Sequence, residues 1–280
     1  MTLPVWLRAV LPADTEKTWE LIAPVLPPEL YLVGGTGLAV HLQHRESRDL
    51  DFFYHKSAVD LDALAYTLGK LGPFAITDRS SGTLNGVFSK TKVQFLHADE
   101  VEPQQVLENP TLVEGVRVAS ISDIFALKLN VVSKRGELRD YFDLETIEEK
   151  TGRTVEEGLS LLLARFGREA SESVLGPIVR SLGYLDDVDE DARLPASKQA
   201  IAAYWQRRQP QIVSSLNRQL PWPAATLATT VAMSTSVSES AVSSKELSPL
   251  PPGTGLGPGS GWVRPHTRSG RGVKGYRRKR

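Results

Sequence analysis

Apolar positions in the first 118 residues fall into short strand-like runs that alternate with runs at helical spacing. Residues 29–35 (ELYLVGG) predict a strand ending in a glycine turn, and 36–44 (TGLAVHLQH) predict a helix. A strand is expected at 50–55 (LDFFYH). A helix follows at 59–72, where Leu61, Leu64, Leu68 and Leu71 share one face. Three strands at 74–78, 83–89 and 92–98 are separated by Gly, Ser and Lys turns, with a further short one at 115–119.

From Ser120 onward the period becomes helical. Ser120 can cap a helix whose Ile121, Ile124, Phe125, Leu129 and Val132 form an apolar stripe. A second helix is expected at 137–150, and Thr154 with Glu157 predicts a capping box for a third at 155–167. Segments 171–183 and 198–208 complete the helical region, and Pro210 is expected to interrupt the last one. The pattern is an α+β unit over residues 1–120 followed by a helical region over 121–220.

Beyond Leu220 the texture changes. Residues 221–261 are dominated by Pro, Ala, Ser, Thr and Gly, with too few large apolar side chains to offset ordering entropy, which predicts a flexible linker. Residues 262–280 form a basic tail. The chain of 280 residues carries 33 basic and 33 acidic side chains, but eight cations and no acid lie in the last 20 residues. The first 260 residues therefore hold 25 basic against 33 acidic groups, an acidic body balanced by a basic appendage, whose usual partner is nucleic acid. Arg264, Arg268, Arg271, Lys274, Arg277 and Arg278, interleaved with Trp262 and Tyr276, can neutralise phosphates and stack on unpaired bases. The alternative is a disordered, solubilising tail.

There is no cysteine, which removes disulfides, thiolate zinc sites and cysteine nucleophiles together. No run of about 18 apolar residues occurs, so no membrane-spanning helix and no membrane partner are expected. The N-terminus lacks a basic region followed by a long apolar core, so a cytoplasmic location is expected.

The segment richest in chemistry runs from Leu32 to Phe53. Gly34 and Gly35 follow an apolar strand and precede a helix, where backbone amides and a helix N-terminus can cradle a phosphate. A tight strand-to-helix turn accounts for the pair equally well. Asp49 and Asp51 follow, on a strand that points residues i and i+2 to one face, about 6.5–7 Å apart. Two such carboxylates beside Leu50, Phe52 and Phe53, which read as buried, suit a divalent cation better than an exposed edge.

A glycine-glycine turn with a hydroxyl residue, a short helix and then Asp-x-Asp resembles the DNA polymerase β-like nucleotidyltransferases. The fuller string GGTGLAVHLQHRESRDLDFF is similar to the AbiEii/AbiGii-type toxin nucleotidyltransferases, including the MenT group. A second match is Lys128 in DIFALK, followed by Arg139, Asp140, Asp143 and Leu144 in RDYFDL. The resemblance covers about residues 30–150 and, by order of elements, extends to 220. It implies an α+β fold with a nucleotidyltransferase-type mixed sheet and helices over 1–120 and a helical half over 121–220 completing the active site, ahead of the tail that composition marks as disordered.

It also implies an enzyme that moves a nucleoside monophosphate from an NTP to an acceptor and releases pyrophosphate. The acceptor it suggests is RNA, at the tRNA 3′ end, and the role that of a bacterial toxin with a cognate antitoxin. On this reading Asp49 and Asp51 bind Mg²⁺ or Mn²⁺; Gly34, Gly35 and Thr36 hold the triphosphate; Lys128 reaches the phosphates; and Asp143 and Asp140 orient the lysine or the acceptor hydroxyl. Ser47, two residues before Asp49, could contact phosphate or be modified there. Arg45 and Arg48 either bind triphosphate or neutralise Asp49, Asp51 and Glu46. Gln94 stands where a third carboxylate is common, which leaves the general base open. The five histidines show no ligand spacing and receive no role. The alternatives are transfer to a small molecule or a protein hydroxyl, or a non-catalytic module that binds RNA or an antitoxin on the same fold.

Overall fold

A computed structural model describes residues 2–55, 59–100 and 102–219. The linker and basic tail expected at 221–261 and 262–280 lie outside the described residues. Helices α1 (Val5–Arg8) and α2 (Ala13–Ile22) lead through a short 3-10 turn into β1 (Tyr31–Leu32) and α3 (Gly34–Leu42). Then come β2 (Leu50–Tyr54), α4 (Leu61–Leu71), β3 (Phe74–Arg79), β4 (Thr83–Phe88), β5 (Thr91–His97), β6 (Thr111–Val113) and β7 (Val116–Val118). The rest is helical: α5 (Ile121–Arg135), α6 (Leu138–Thr151), α7 (Val155–Phe166), α8 (Glu172–Leu182) and α9 (Lys198–Gln219).

The strands form one mixed seven-stranded sheet in the order β3-β4-β5-β2-β1-β7-β6. β1 runs parallel to β7 and antiparallel to β2, and β2 runs parallel to β5 with Asp51 beside Gln94. Alternation along β2 sends Leu50, Phe52 and Tyr54 into a core made with α1, α2 and α4. The opposite face carries Asp49, Asp51 and Phe53; Phe53 is half-buried against a cavity, not closed into the core as expected. α3 stitches the two sides, giving Ala39 and Val40 to the first core and Leu38 to a second. That second core joins Tyr31 and Val33 to the helices from α5 to α9.

Capping places the helices as expected. Ser120 Oγ accepts the Asp123 amide at 3.0 Å to start α5, and Thr154 and Glu157 form the reciprocal box of α7. Pro210 does not end α9, which contains it within a 22-residue helix. The ring is exposed, and Ile201, Trp205, Ile212 and Leu216 form one buried stripe on both sides of it. Packing along that stripe outweighs the lost backbone hydrogen bond. Three elements were not expected from the sequence: α1 is a single turn of four residues, β6 is a three-residue edge strand, and α2 is a ten-residue helix with Pro12 at its N-cap.

Candidate active site

The turn from β1 into α3 requires both of its glycines. Gly34 has φ +67°, and a β-carbon there would sit 2.8 Å from Asp51 Oδ2. A β-carbon on Gly35 would sit 2.5 Å from Arg45 Nη2. The turn therefore lies directly against the carboxylate and the guanidinium, with the N-terminus of α3 opening into a cavity of about 340 Å³. Its walls include Gly34, Gly35, Arg45, Ser47, Arg48, Asp49, Asp51, Gln94, Lys128 and Asp140, brought from β1–α3, β2, β5, α5 and α6.

Thr36 is placed differently. It is buried and lies outside the cavity wall; its hydroxyl hydrogen-bonds Ser47 Oγ at 2.8 Å and donates to the Asp49 carbonyl at 2.5 Å. These bonds tie the hydroxyl to the backbone carrying Asp49. The hydroxyl is committed within the fold before any ligand arrives.

Asp51 lies at the floor of the cavity. Burial, and then the neighbouring Asp49 carboxylate, push its pKa above the ordinary carboxylate range. Its Oδ1 is buried without a hydrogen-bond partner. A shielded carboxylate oxygen beside a second carboxylate is stabilised by a cation, so Asp49 and Asp51 fit a divalent metal. Among the described residues no group of three or more His, Cys, Asp or Glu side chains could hold a metal.

Lys128 stands between two carboxylates of α6, 2.7 Å from Asp140 Oδ1 and 2.6 Å from Asp143 Oδ2. Burial pulls its pKa down, but Asp143 and Asp140 outweigh this and raise it. Asp140 does two jobs: its Oδ2 also accepts the Glu137 amide at 3.3 Å, capping α6. Asp143 is fully buried. Besides Lys128 it accepts Arg45 Nε at 2.6 Å, Arg45 Nη2 at 2.8 Å and His44 Nε2 at 2.8 Å.

Burial would raise the Asp143 pKa, but Lys128, Arg45 and His44 hold it far below the usual range. Four donors occupy the positions a carboxylate has for hydrogen bonds, so Asp143 anchors Lys128 and Arg45 and has no vacant lone pair for an acceptor proton. Burial lowers the His44 pKa against the pull of Asp143, leaving the ring neutral beside two cations and two anions that balance one another. Arg45 is therefore committed to Asp143, a partner neither sequence alternative named, and its third nitrogen meets the Glu46 carbonyl at 3.0 Å. Arg48 is exposed at the cavity wall.

The sequence reading missed three residues. His44 has a side chain only 1% exposed and sits 99 positions from its partner Asp143, a distance no local pattern bridges. Asp191 and Arg193 reach the cavity from the connection between α8 and α9, paired through Arg193 Nε and Nη2 at 2.7 Å each. They lie in an acidic stretch that reads as a solvated loop. Arg135 and Arg139 also line the cavity, and both pair with Glu137, Arg135 Nη1 with Oε1 at 2.7 Å and Arg139 Nη2 with Oε2. The tail candidates, from Arg264 to Arg278, fall outside the described residues.

A family description, the nucleotidyl transferase AbiEii toxin of type IV toxin-antitoxin systems, matches residues 20–229. An uncharacterized protein of Aquifex aeolicus is 29% identical over 203 residues, 71% of this chain and 92% of that one. Among solved structures, the nucleotidyltransferase toxin MenT4 of Mycobacterium tuberculosis is 16% identical, covering 84% of this chain and 94% of its own, with a TM-score of 0.47. JHP933 of Helicobacter pylori is 20% identical, covering 78% and 96%, with a TM-score of 0.47.

Proposed function

The chain belongs to the AbiEii family of nucleotidyl transferase toxins, and from that premise we propose that it moves a nucleoside monophosphate from an NTP to RNA, at the 3′ end of tRNA, under the restraint of a cognate antitoxin. The observation that carries the reading is the buried, unpartnered Asp51 Oδ1 at the floor of a cavity walled by a glycine turn and a buried lysine.

In the reaction an acceptor hydroxyl oxygen bonds to the α-phosphorus and gives up its proton to solvent, the bond from the α-phosphorus to the bridging β-phosphate oxygen breaks, and pyrophosphate leaves with both electrons. Asp49 and Asp51 would hold Mg²⁺, or Mn²⁺, which supplies Lewis-acid stabilisation of the transferring phosphoryl group. The Gly34–Gly35 turn and the N-terminus of α3 bind phosphate oxygens, with Arg48 and Ser47 at the wall. Lys128, charged and fixed by Asp140 and Asp143, meets the negative charge that develops during transfer without having to reorganise. Asp143 positions that lysine and takes no proton. RNA is favoured over a small acceptor by the eight-cation tail, which a small substrate does not need.

Incubation with each α-labelled NTP, Mg²⁺ and total bacterial RNA tests this. Label is expected on a discrete RNA band with wild type and a loss of at least about a hundredfold with Asp49→Ala. Label absent from RNA with every NTP would overturn the RNA acceptor.

A further inference from the structure

Three polar side chains stand in line with Asp51 across the sheet. Register places Asp51 on β2 beside Gln94 on β5, Gln94 beside Asn85 on β4, and Asn85 beside Asp78 on β3. Neighbouring strands lie about 4.8 Å apart, and paired residues share a face. The hydrogen bonds along this row have one direction. Asn85 Nδ2 donates to Asp78 Oδ2 at 3.3 Å, and Gln94 Nε2 donates to Asn85 Oδ1 at 3.0 Å.

Asp78 sets that direction. A carboxylate only accepts, so Asn85 must turn its NH₂ toward Asp78 and its carbonyl toward Gln94. Gln94 in turn gives one N–H of its Nε2 to Asn85 Oδ1. That bond turns Nε2 toward β4 and leaves the carbonyl oxygen, with the second N–H, for the cavity that Gln94 and Asp51 both line. A glutamine at this place could in principle donate an N–H to Asp51 Oδ1. It does not, and that oxygen stays buried without a partner.

We propose that Gln94 supplies a neutral oxygen ligand to the cation held by Asp49 and Asp51, oriented for that task by Asn85 and Asp78. This deepens the reading of the cation site and rests on it. Hard divalent cations take amide carbonyls readily, and a neutral third donor completes the coordination without a third negative charge beside Asp51. Gln94 would thus take the position of a third carboxylate as a ligand while being unable to accept the acceptor's proton.

The test is Mn²⁺ binding to the full chain without nucleotide, followed by loss of the free-ion electron paramagnetic resonance signal. Wild type is compared with Gln94→Leu, Gln94→Glu, Asn85→Leu and Asp51→Asn, each checked by thermal melting. Gln94→Leu is expected to weaken binding by about tenfold, and Gln94→Glu to tighten it by a similar factor, because ligand charge tunes such affinities. Asn85→Leu frees the Gln94 amide to turn and is expected to weaken binding by about threefold. Equal affinities in wild type, Gln94→Leu and Gln94→Glu, with binding lost in Asp51→Asn, would overturn the role of Gln94 and leave the cation site standing. Absence of wild-type binding, or binding unaffected by Asp51→Asn, would overturn both.

Discussion

Asp143 shows how a buried charge is made tolerable. Two cations and a neutral imidazole converge on one carboxylate, and Lys128 is shared with Asp140, so the cluster carries no net charge. Removing one member strands the others: Asp143→Asn leaves Arg45 and Lys128 short of a countercharge and is expected to cost about 3–5 kcal/mol. The sign of its pH dependence follows from the depressed pKa. The stabilisation is fully present above the unfolded carboxylate value of roughly 4 and is lost as pH falls through the folded value. Urea unfolding should therefore show the gap between wild type and Asp143→Asn constant from pH 6 to 8 and narrowing below about pH 4.

Elements place these residues by packing. Helices α5 and α6 meet so that one lysine faces two acids three apart, and the acid nearer the N-terminus of α6 also caps the helix. On the outer side of α6, Glu145 is half-buried with Oε2 unpartnered; burial, then Glu149, push its pKa up to about 7. A raised acid favours folding below its unfolded value and opposes it as pH rises through the folded one. Glu145→Gln should thus stabilise the protein at pH 8 by about 1 kcal/mol, after allowance for solvent screening, and leave it unchanged near pH 4, as read by chemical denaturation. In α9, Pro210→Ala restores a backbone donor at an exposed position. It should raise stability by about 1–3 kcal/mol, measured by thermal or urea unfolding.

The whole molecule divides its charge: the first 260 residues are net acidic and the last 20 hold eight cations. An acidic body repels RNA unless a cationic segment brings the two together. Truncation after Leu220 should weaken RNA binding at low salt and flatten the dependence of log Kd on log salt, while labelling of RNA at saturating concentration persists. An unchanged salt slope in a filter-binding titration would remove the tail from RNA contact. Among the described residues no helix is long and apolar enough to cross a membrane.

The order of elements from β1 onward, β6 apart, the glycine turn, Asp49-x-Asp51, Lys128 and the two capping motifs were legible in the linear chain. Each is a local pattern: strand alternation, helical period and capping depend on residues within a few positions of one another. Tertiary structure decided everything that depends on distant partners. It tied the Thr36 hydroxyl to the Asp49 carbonyl, brought Arg45 and His44 to Asp143, and carried α9 through Pro210. It also brought Asp191 and Arg193 to the cavity from a loop whose acidic composition reads as solvent-facing. The physical reason is common to these cases. A side chain's charge and type are set by its own position, whereas the partner that uses them is set by the packing of elements far apart in the chain.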